Sequence, residues 1–179
     1  MNQKFSVGSV VDWNLAASFG GKLARPEPPS TDYTRRQVIA QLADSARAAE
    51  VPVREVTGLA EGEGIPEARI VNRPDWIRAA AHSMRVMTGG RDGAGKPRAI
   101  SGRIAGVQTG AVLAFVSSGI LGQYDPFSDG GELLLVYPNV IAVERQLRVN
   151  PADFRMWVCL HEVTHRVQFR ANPWLAQHM

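Results

Sequence analysis

The feature that most constrains the fold is a segment near the end of the 179-residue chain, residues 150–170, which has the signals of one long helix. Asn150 can cap this helix, because its side-chain oxygen can accept a hydrogen bond from a free N–H of the first turn. Pro151 suits the first helical position, and Asp153 places a negative charge near the positive end of the helix dipole. The sequence therefore predicts a helix that ends at about Arg170.

Most of the circumference of this helix is apolar when successive side chains are placed about 100° apart. The polar exceptions are predicted to share one face, and they are Arg155, Cys159, Arg166 and Arg170. His161 and His165 fall inside the apolar arc, about 40° apart. The pattern predicts a helix that is buried on most sides, with both histidines inside.

The histidines belong to the motif HEVTH, which pairs two imidazoles with a carboxylate. An unpaired buried polar group costs about 1–3 kcal/mol, and a single metal ion can satisfy His161 and His165 together. Zn²⁺ is the metal that this spacing most favours. Glu162 projects away from the histidines, so it is a candidate general base rather than a ligand. The alternative is a pair of core histidines hydrogen-bonded to backbone carbonyls.

The first two thirds of the chain contain signals for two further helices and a short strand. Ser30 or Thr31 can cap a helix that runs to about Glu50 and is closed by Pro52. Arg69–Val71 has the composition of a short strand, and the sequence NRPD that follows it is typical of a helix start.

The clearest strand is Glu132–Tyr137, because it is short, apolar and followed by Pro138. The order of elements predicts an α+β fold that is mostly helical. We expect one domain over residues 1–179. Residues 1–100 are its mainly helical part, and residues 101–179 contain the strand and the HEVTH helix.

Composition excludes several classes of function. A formal net charge of +3, with 45% hydrophobic and 21% charged residues, is ordinary for a soluble domain. The positive charge is scattered, so nucleic-acid binding is not expected. Cys159 is the single cysteine, which excludes an internal disulfide and indicates a reducing, cytoplasmic location. The N-terminal sequence lacks the pattern of a signal peptide.

Two segments carry weak signals for other functions. Residues 104–124 have no charged side chain and are long enough to cross a bilayer, yet their glycines and polar residues favour a buried helix in a soluble core. Gly90–Lys96 has the spacing of a phosphate loop, but Pro97 stands where that loop needs Ser or Thr. We therefore expect no membrane partner, and a solvated loop rather than a nucleotide site.

Several linked blocks give the chain a resemblance to a known family. They are LGQYDPF at Leu121–Phe127, LLLVYPNVIAVERQL at Leu133–Leu147, FRMWVCLHEVTHRVQF at Phe154–Phe169, and the NPWL that follows. In these blocks the chain resembles a mainly actinobacterial family of zincin-like metallohydrolases, some of whose members are associated with coenzyme F-420 biosynthesis. Together the blocks are far more specific than HExxH alone.

The resemblance implies a zinc site with His161 and His165 as metal ligands and Glu162 as the catalytic base. It also implies a zincin-like α+β layout with a short sheet beside the HExxH helix, in which the strand Leu133–Tyr137 lies next to the helix that carries these residues. A peptide or other amide substrate would pair along that strand by strand addition. The implied activity is that of a metallopeptidase-like hydrolase.

The sequence departs from the family in its third metal ligand. The resemblance implies a ligand from a later, glutamate-bearing helix, and no such segment follows His165. We therefore expect the chain to correspond to the N-terminal half of the family's domain, with weak metal binding and little or no turnover. His178 is the alternative third ligand. A non-catalytic zincin-like scaffold or binding module is the alternative function.

Overall fold

Helices dominate the fold and one small sheet accompanies them, which confirms the predicted α+β class. The computed structural model describes residues 11–60, 62, 64, 67–89, 100–128 and 130–178. The helices are α1 (Trp13–Leu23), α2 (Asp32–Thr57), α3 (Arg73–Met87), α4 (Ser101–Val116), α5 (Tyr137–Leu147), α6 (Pro151–Ala171) and α7 (Trp174–Gln177). The strands are β1 (Arg69–Val71), β2 (Gly122–Asp125) and β3 (Glu132–Val136).

The first of two compact units joins the start of the chain, up to Pro26, with Arg73–Gly119. It contains α1, α3 and α4. The buried side chain of Arg73 donates hydrogen bonds to the carbonyl oxygens of Arg25 and Pro26, at 3.0 and 2.6 Å. The two stretches of this unit, distant in sequence, are therefore joined by direct hydrogen bonds.

Helices α1 and α4 approach closely because glycines lie in their interface. A Cβ atom on Gly110 would lie 2.7 Å from the Ala16 carbonyl oxygen, and one on Gly20 would lie 2.7 Å from the Gly110 carbonyl oxygen. A Cβ atom on Gly106 would lie 2.6 Å from the carbonyl oxygen of Asp12. Real Cβ atoms do not approach backbone oxygens this closely. The small residues of α4 therefore determine how near the two helices can pack.

The uncharged segment 104–124 is divided between two elements rather than forming one span. Helix α4 occupies its first part, and β2 begins at Gly122 after a turn. Among the described residues, no helix is long and apolar enough to cross a membrane. The glycine face of α4 is buried against α1, as expected of a helix in a folded core.

The second unit comprises Glu27–Asn72 and Ile120–Met179 and contains α2, the sheet and α5 to α7. The strand order is β1-β3-β2, with β1 parallel and β2 antiparallel to β3. The core of this unit forms between α2, β3, α5 and α6. Its buried apolar side chains include Val38, Leu42, Ala46, Ala49, Leu133, Leu135, Val140, Ile141, Val158, Val163 and Val167.

The central position of β3 corrects one prediction. Leu134 and Leu135 pair with β1 on one side and with β2 on the other, and Tyr137 already belongs to α5. Leu133–Tyr137 therefore has no free edge on which an extended substrate could pair, because β1 adds a partner from far away in the sequence. The outer strand on the side of α6 is β2, whose Gly122 lies against that helix.

Helix α2 is longer than predicted, because Pro52 does not end it. A proline inside a helix removes one backbone hydrogen bond and usually breaks or kinks it. Here side chains hold the next turn, since Val53 is buried and Arg54 Nε donates a 2.7 Å hydrogen bond to Glu50 Oε2. The helix ends at Gly58 instead, where a φ of +64° gives the left-handed cap that glycine adopts most readily.

The two units do not divide the chain at residue 100. The chain passes from one unit to the other after Pro26, returns after Asn72, and changes again after Gly119. The predicted parts 1–100 and 101–179 therefore separate α3 from α4, although both helices belong to one unit. The phosphate-loop spacing at Gly90–Lys96 lies outside the described residues.

We predict that Gly110→Ala lowers the free energy of unfolding by about 1–3 kcal/mol, because the new methyl group overlaps the Ala16 carbonyl. Gly21→Ala is the matched control, since a Cβ atom there meets only the Pro74 Cβ, at 3.7 Å. Without an overlap, glycine to alanine in a helix stabilises it by up to about 1 kcal/mol. Urea unfolding measures both variants, and equal stability would contradict the close packing of α1 and α4.

Candidate active site

Helix α6 forms where the sequence predicted it, from Pro151 to Ala171. The Asn150 side-chain oxygen accepts a hydrogen bond of 2.9 Å from the Ala152 N–H, so the predicted cap is confirmed. At the other end, Asn172 donates from its backbone and its side-chain amide to the Gln168 carbonyl, at 3.1 Å each. Both ends of the helix are therefore fixed by local hydrogen bonds.

Three of the four residues of the predicted polar face of α6 are buried, which corrects the prediction, and Arg170 is half-buried. Arg155 is 8% exposed, and its guanidinium donates to both carboxylate oxygens of Glu144 on α5, at 2.6 and 2.8 Å. Arg166 is 1% exposed and pairs with Glu50 of α2. Cys159 lies between these two pairs along the helix and is fully buried. Carboxylates from two other helices neutralise the arginines, so these side chains lie in the interior of the unit.

The carboxylate of Glu50 on α2 interacts with two arginines, one in its own helix and one on α6. This carboxylate is 1% exposed, accepts from Arg54 within its own helix, and pairs with Arg166 across the helix interface. Removing one partner of a buried ion pair leaves an uncompensated charge, at a cost of about 3–5 kcal/mol. This cluster therefore fixes which side of α6 faces α2.

The opposite face of α6 carries the histidines and is exposed. Its rings follow one another along the helix: Phe154 and Trp157 have centroids 6.0 Å apart, Trp157 and His161 6.0 Å, and His161 and His165 4.9 Å, the last pair edge to face. Trp157 is 59% exposed, and both histidines are exposed as well. The prediction that His161 and His165 are buried is wrong, because the two arginine pairs turn this face away from the core of the unit.

Glu162 follows His161 in sequence but lies on the buried side of the helix. It is 8% exposed, and burial raises the pKa of its carboxyl from 4.5 to about 7. The cause is desolvation, which disfavours the charged carboxylate. A carboxyl group with this pKa can both accept and donate a proton near neutral pH.

The histidine pair suits two ligand positions of a zinc ion. The two rings lie one helical turn apart on an exposed surface, so an ion can reach both. Zinc is held by imidazole nitrogens, and it takes three protein ligands in most catalytic sites and four in structural ones. The residues present therefore fit part of a zinc site.

The described residues do not bring a third ligand to this pair. Among the described residues, no His, Cys, Asp or Glu joins His161 and His165 in a group of three. His178, the predicted alternative, lies just after α7, where its ring meets that of Trp174 edge to face at 5.5 Å. His178 is therefore not a third ligand in this structure.

One residue of the site, Gly122, was not predicted from the sequence. It is the first residue of β2, and a Cβ atom there would lie 2.5 Å from Cγ of Glu162. Its position inside the LGQYDPF block was the available signal. The strand GQYD has neither the apolar run nor the alternation that indicates a strand, so β2 was not predicted. A glycine within a strand is itself a sign of close approach by another group.

The raised pKa of Glu162 leads to a pH-dependent stability of the metal-free protein. The unfolded chain ionises this carboxyl near 4.5, whereas the folded chain does so near 7. The protonated carboxyl therefore stabilises the folded state fully below the lower value, and this contribution is lost as the pH rises through the higher one. The loss amounts to roughly 3 kcal/mol at most.

We predict that the difference in unfolding free energy between the metal-free wild type and Glu162→Gln changes by up to roughly 3 kcal/mol between about pH 4.5 and about pH 8. The wild type becomes relatively less stable as the pH rises, because the amide of the variant does not ionise. Chemical unfolding at a series of pH values measures this. A difference that stays constant over the range would contradict the desolvation of Glu162.

Two comparisons place the chain among known proteins. A model of the zincin-like metallopeptidase family matches residues 11–179, which confirms the resemblance to a zincin-like family. The chain is also similar to a crystal structure from Chloroflexus aurantiacus, described as a candidate hydrolase with a novel fold, at 29% identity and a TM-score of 0.71. The similarity covers 94% of this chain and 56% of that one, so the chain spans little more than half the length of that protein. Comparison with curated proteins gave no match. Because the family model covers nearly the whole sequence, this chain belongs to the zincin-like metallopeptidase family.

Proposed function

We propose that this chain carries the metal-binding helix and the general base of a zinc-dependent hydrolase that acts on peptide or other amide bonds. The observation that carries the proposal is the arrangement on α6. His161 and His165 lie next to each other on the exposed face, and Glu162 is buried with a pKa of about 7. Membership of the zincin-like metallopeptidase family and the similarity to a candidate hydrolase support the reaction class.

In the proposed chemistry, the histidines bind the metal and the glutamate transfers protons. His161 and His165 would hold the ion through one ring nitrogen each. A zinc ion, when bound, supplies Lewis acidity toward a water molecule and a substrate carbonyl. Glu162 takes a proton from the attacking water and passes it to the leaving nitrogen. In the metal-free protein, burial raises the pKa of this carboxyl group to about 7, so it can hold a proton as well as release one near neutral pH.

The outer edge of β2 is the proposed place for the substrate. β2 pairs with β3 on one side and is the outer strand of the sheet, so an extended segment can be added beside it. Gly122 at the start of this strand lies against Glu162. A peptide along Gly122–Asp125 would therefore pass close to the general base, as a substrate along Leu133–Tyr137 could not.

We place the third zinc ligand outside the described residues. Two imidazoles are too few for a tight site, since structural and catalytic zinc ions in proteins normally have three or four protein ligands. The similar chain from Chloroflexus aurantiacus is considerably longer than this one, which is consistent with a ligand from further polypeptide. For the 179-residue chain alone we expect weak zinc binding and little or no turnover.

We predict that His161→Ala and His165→Ala each reduce the zinc affinity of the 179-residue protein by more than about tenfold, because each removes one of two ligands. His82→Ala is the matched control, since His82 is an exposed histidine on α3. The zinc affinity of this variant should equal that of the wild type. Competition with a fluorescent zinc chelator measures all four proteins. Equal affinities throughout would contradict the ligand assignment.

Glu162→Gln separates binding from catalysis. We predict that it keeps the zinc affinity of the wild type and reduces any hydrolysis of a peptide mixture by about 100-fold or more, because the amide cannot accept the proton. Mass spectrometry of the zinc-supplemented reaction follows the cleavage. Residual hydrolysis unaffected by Glu162→Gln would contradict the role of Glu162. Zinc binding without hydrolysis in any longer form of the protein would favour a non-catalytic zincin-like scaffold.

A further inference from the structure

Gly122 of β2 occupies the space directly beside the Glu162 side chain. A Cβ atom on Gly122 would lie 2.5 Å from Cγ, 2.7 Å from Cδ and 3.0 Å from Oε1 of Glu162. Carbon atoms that are not bonded to each other stay about 3.5–4.0 Å apart. Any side chain at position 122 would therefore overlap the carboxyl group of Glu162 and force it to move.

The backbone of β2 does not by itself require a glycine at this position. Gly58 and Gly130, in the same unit, have φ values of +64° and +79°, and a Cβ atom on either would meet nothing within 4 Å. Gly122 differs in both respects. Its backbone is that of an ordinary strand residue, and there is no free space around it for a Cβ atom. A glycine inside a strand weakens it, so the reason for Gly122 is the group that it faces.

Helix α6 also holds the backbone of Glu162 firmly. Val163, the next residue, and Arg166, one turn further on, are 0% and 1% exposed, and Glu162 itself is 8% exposed. The helix therefore cannot shift without disturbing the core and the pair between Arg166 and Glu50. A larger residue at position 122 would have to displace the carboxyl end of Glu162 rather than the helix.

We propose that Gly122 is a positioning residue, which fixes the place of the Glu162 carboxylate by leaving no atom of its own beside it. The inference rests on the proposed function insofar as Glu162 is the general base. Catalytic groups lose effectiveness steeply when they are misplaced, and an error of about 1 Å can reduce the rate by about 100-fold.

Crystal structures of the wild type and of Gly122→Ala test the contact directly. We expect the Glu162 carboxylate to move by about 1 Å or more in the variant while the backbones of α6 and β2 superimpose on those of the wild type, since a methyl group needs that much room. Gly119→Ala is the control, because a Cβ atom there meets only the Val116 carbonyl oxygen, at 3.8 Å. A Glu162 carboxylate that keeps its place in Gly122→Ala would overturn the proposal.

A second variant tests the overlap with Glu162 even if Gly122→Ala alone does not fold. Combining it with Glu162→Ala removes the Cγ, Cδ and Oε1 atoms that would overlap. We expect the double variant to regain the melting temperature of Glu162→Ala alone. A double variant as unstable as Gly122→Ala would show that the overlap is with another group, and it would overturn the proposal.

Kinetics distinguish positioning from a purely structural role. In any form of the protein that hydrolyses peptides, Gly122→Ala should lower kcat by about 10-fold to 100-fold, a larger effect than on KM, and should leave zinc affinity unchanged, since it touches neither histidine. A kcat equal to that of the wild type would refute the positioning role. If no form of the protein hydrolyses peptides, including longer ones, the proposed function fails, and the crystal structures still decide whether Gly122 fixes Glu162.

Discussion

The buried pair between Arg166 of α6 and Glu50 of α2 is the interaction on which the arrangement of the site depends. Together with the pair between Arg155 and Glu144, it directs one side of α6 into the core of its unit. A helix has only one rotation about its axis that buries both arginines against their carboxylates. That rotation places His161 and His165 outside, where an ion can reach them.

The same rotation gives the three residues of the HExxH motif different environments. The histidines lie in a row of exposed rings with Trp157, whereas Glu162 faces β2 and loses most of its contact with water. Burial raises the pKa of its carboxyl to about 7, and Gly122 leaves the space that the carboxyl occupies. The proposed metal-assisted hydrolysis would use these two features, the exposed imidazoles as ligands and the buried carboxyl group as the base.

Local sequence signals predicted the positions of the helices and strands better than they predicted what each element packs against. The Asn150 cap, the extent of α6 and the strand at Arg69–Val71 depend on neighbouring residues, and each was predicted correctly. The rotation of α6 about its axis was not predicted correctly. A helical wheel shows only the residues of α6 itself, so it cannot show that carboxylates from other helices pair with its arginines. The central place of β3 also depends on a distant strand, although its apolar run is typical of a strand with neighbours on both sides.

With this rotation, α6 would present His161 and His165 together to one zinc ion while its arginine and cysteine side remains buried. X-ray absorption spectroscopy at the zinc edge tests this most directly, because it identifies the atoms around the bound metal. We predict two imidazole ligands per zinc, with Zn–N distances of about 2.0–2.1 Å, and no sulfur. A sulfur ligand at about 2.3 Å, which would require Cys159 to leave the core, or zinc without imidazole ligands, would contradict this arrangement of α6.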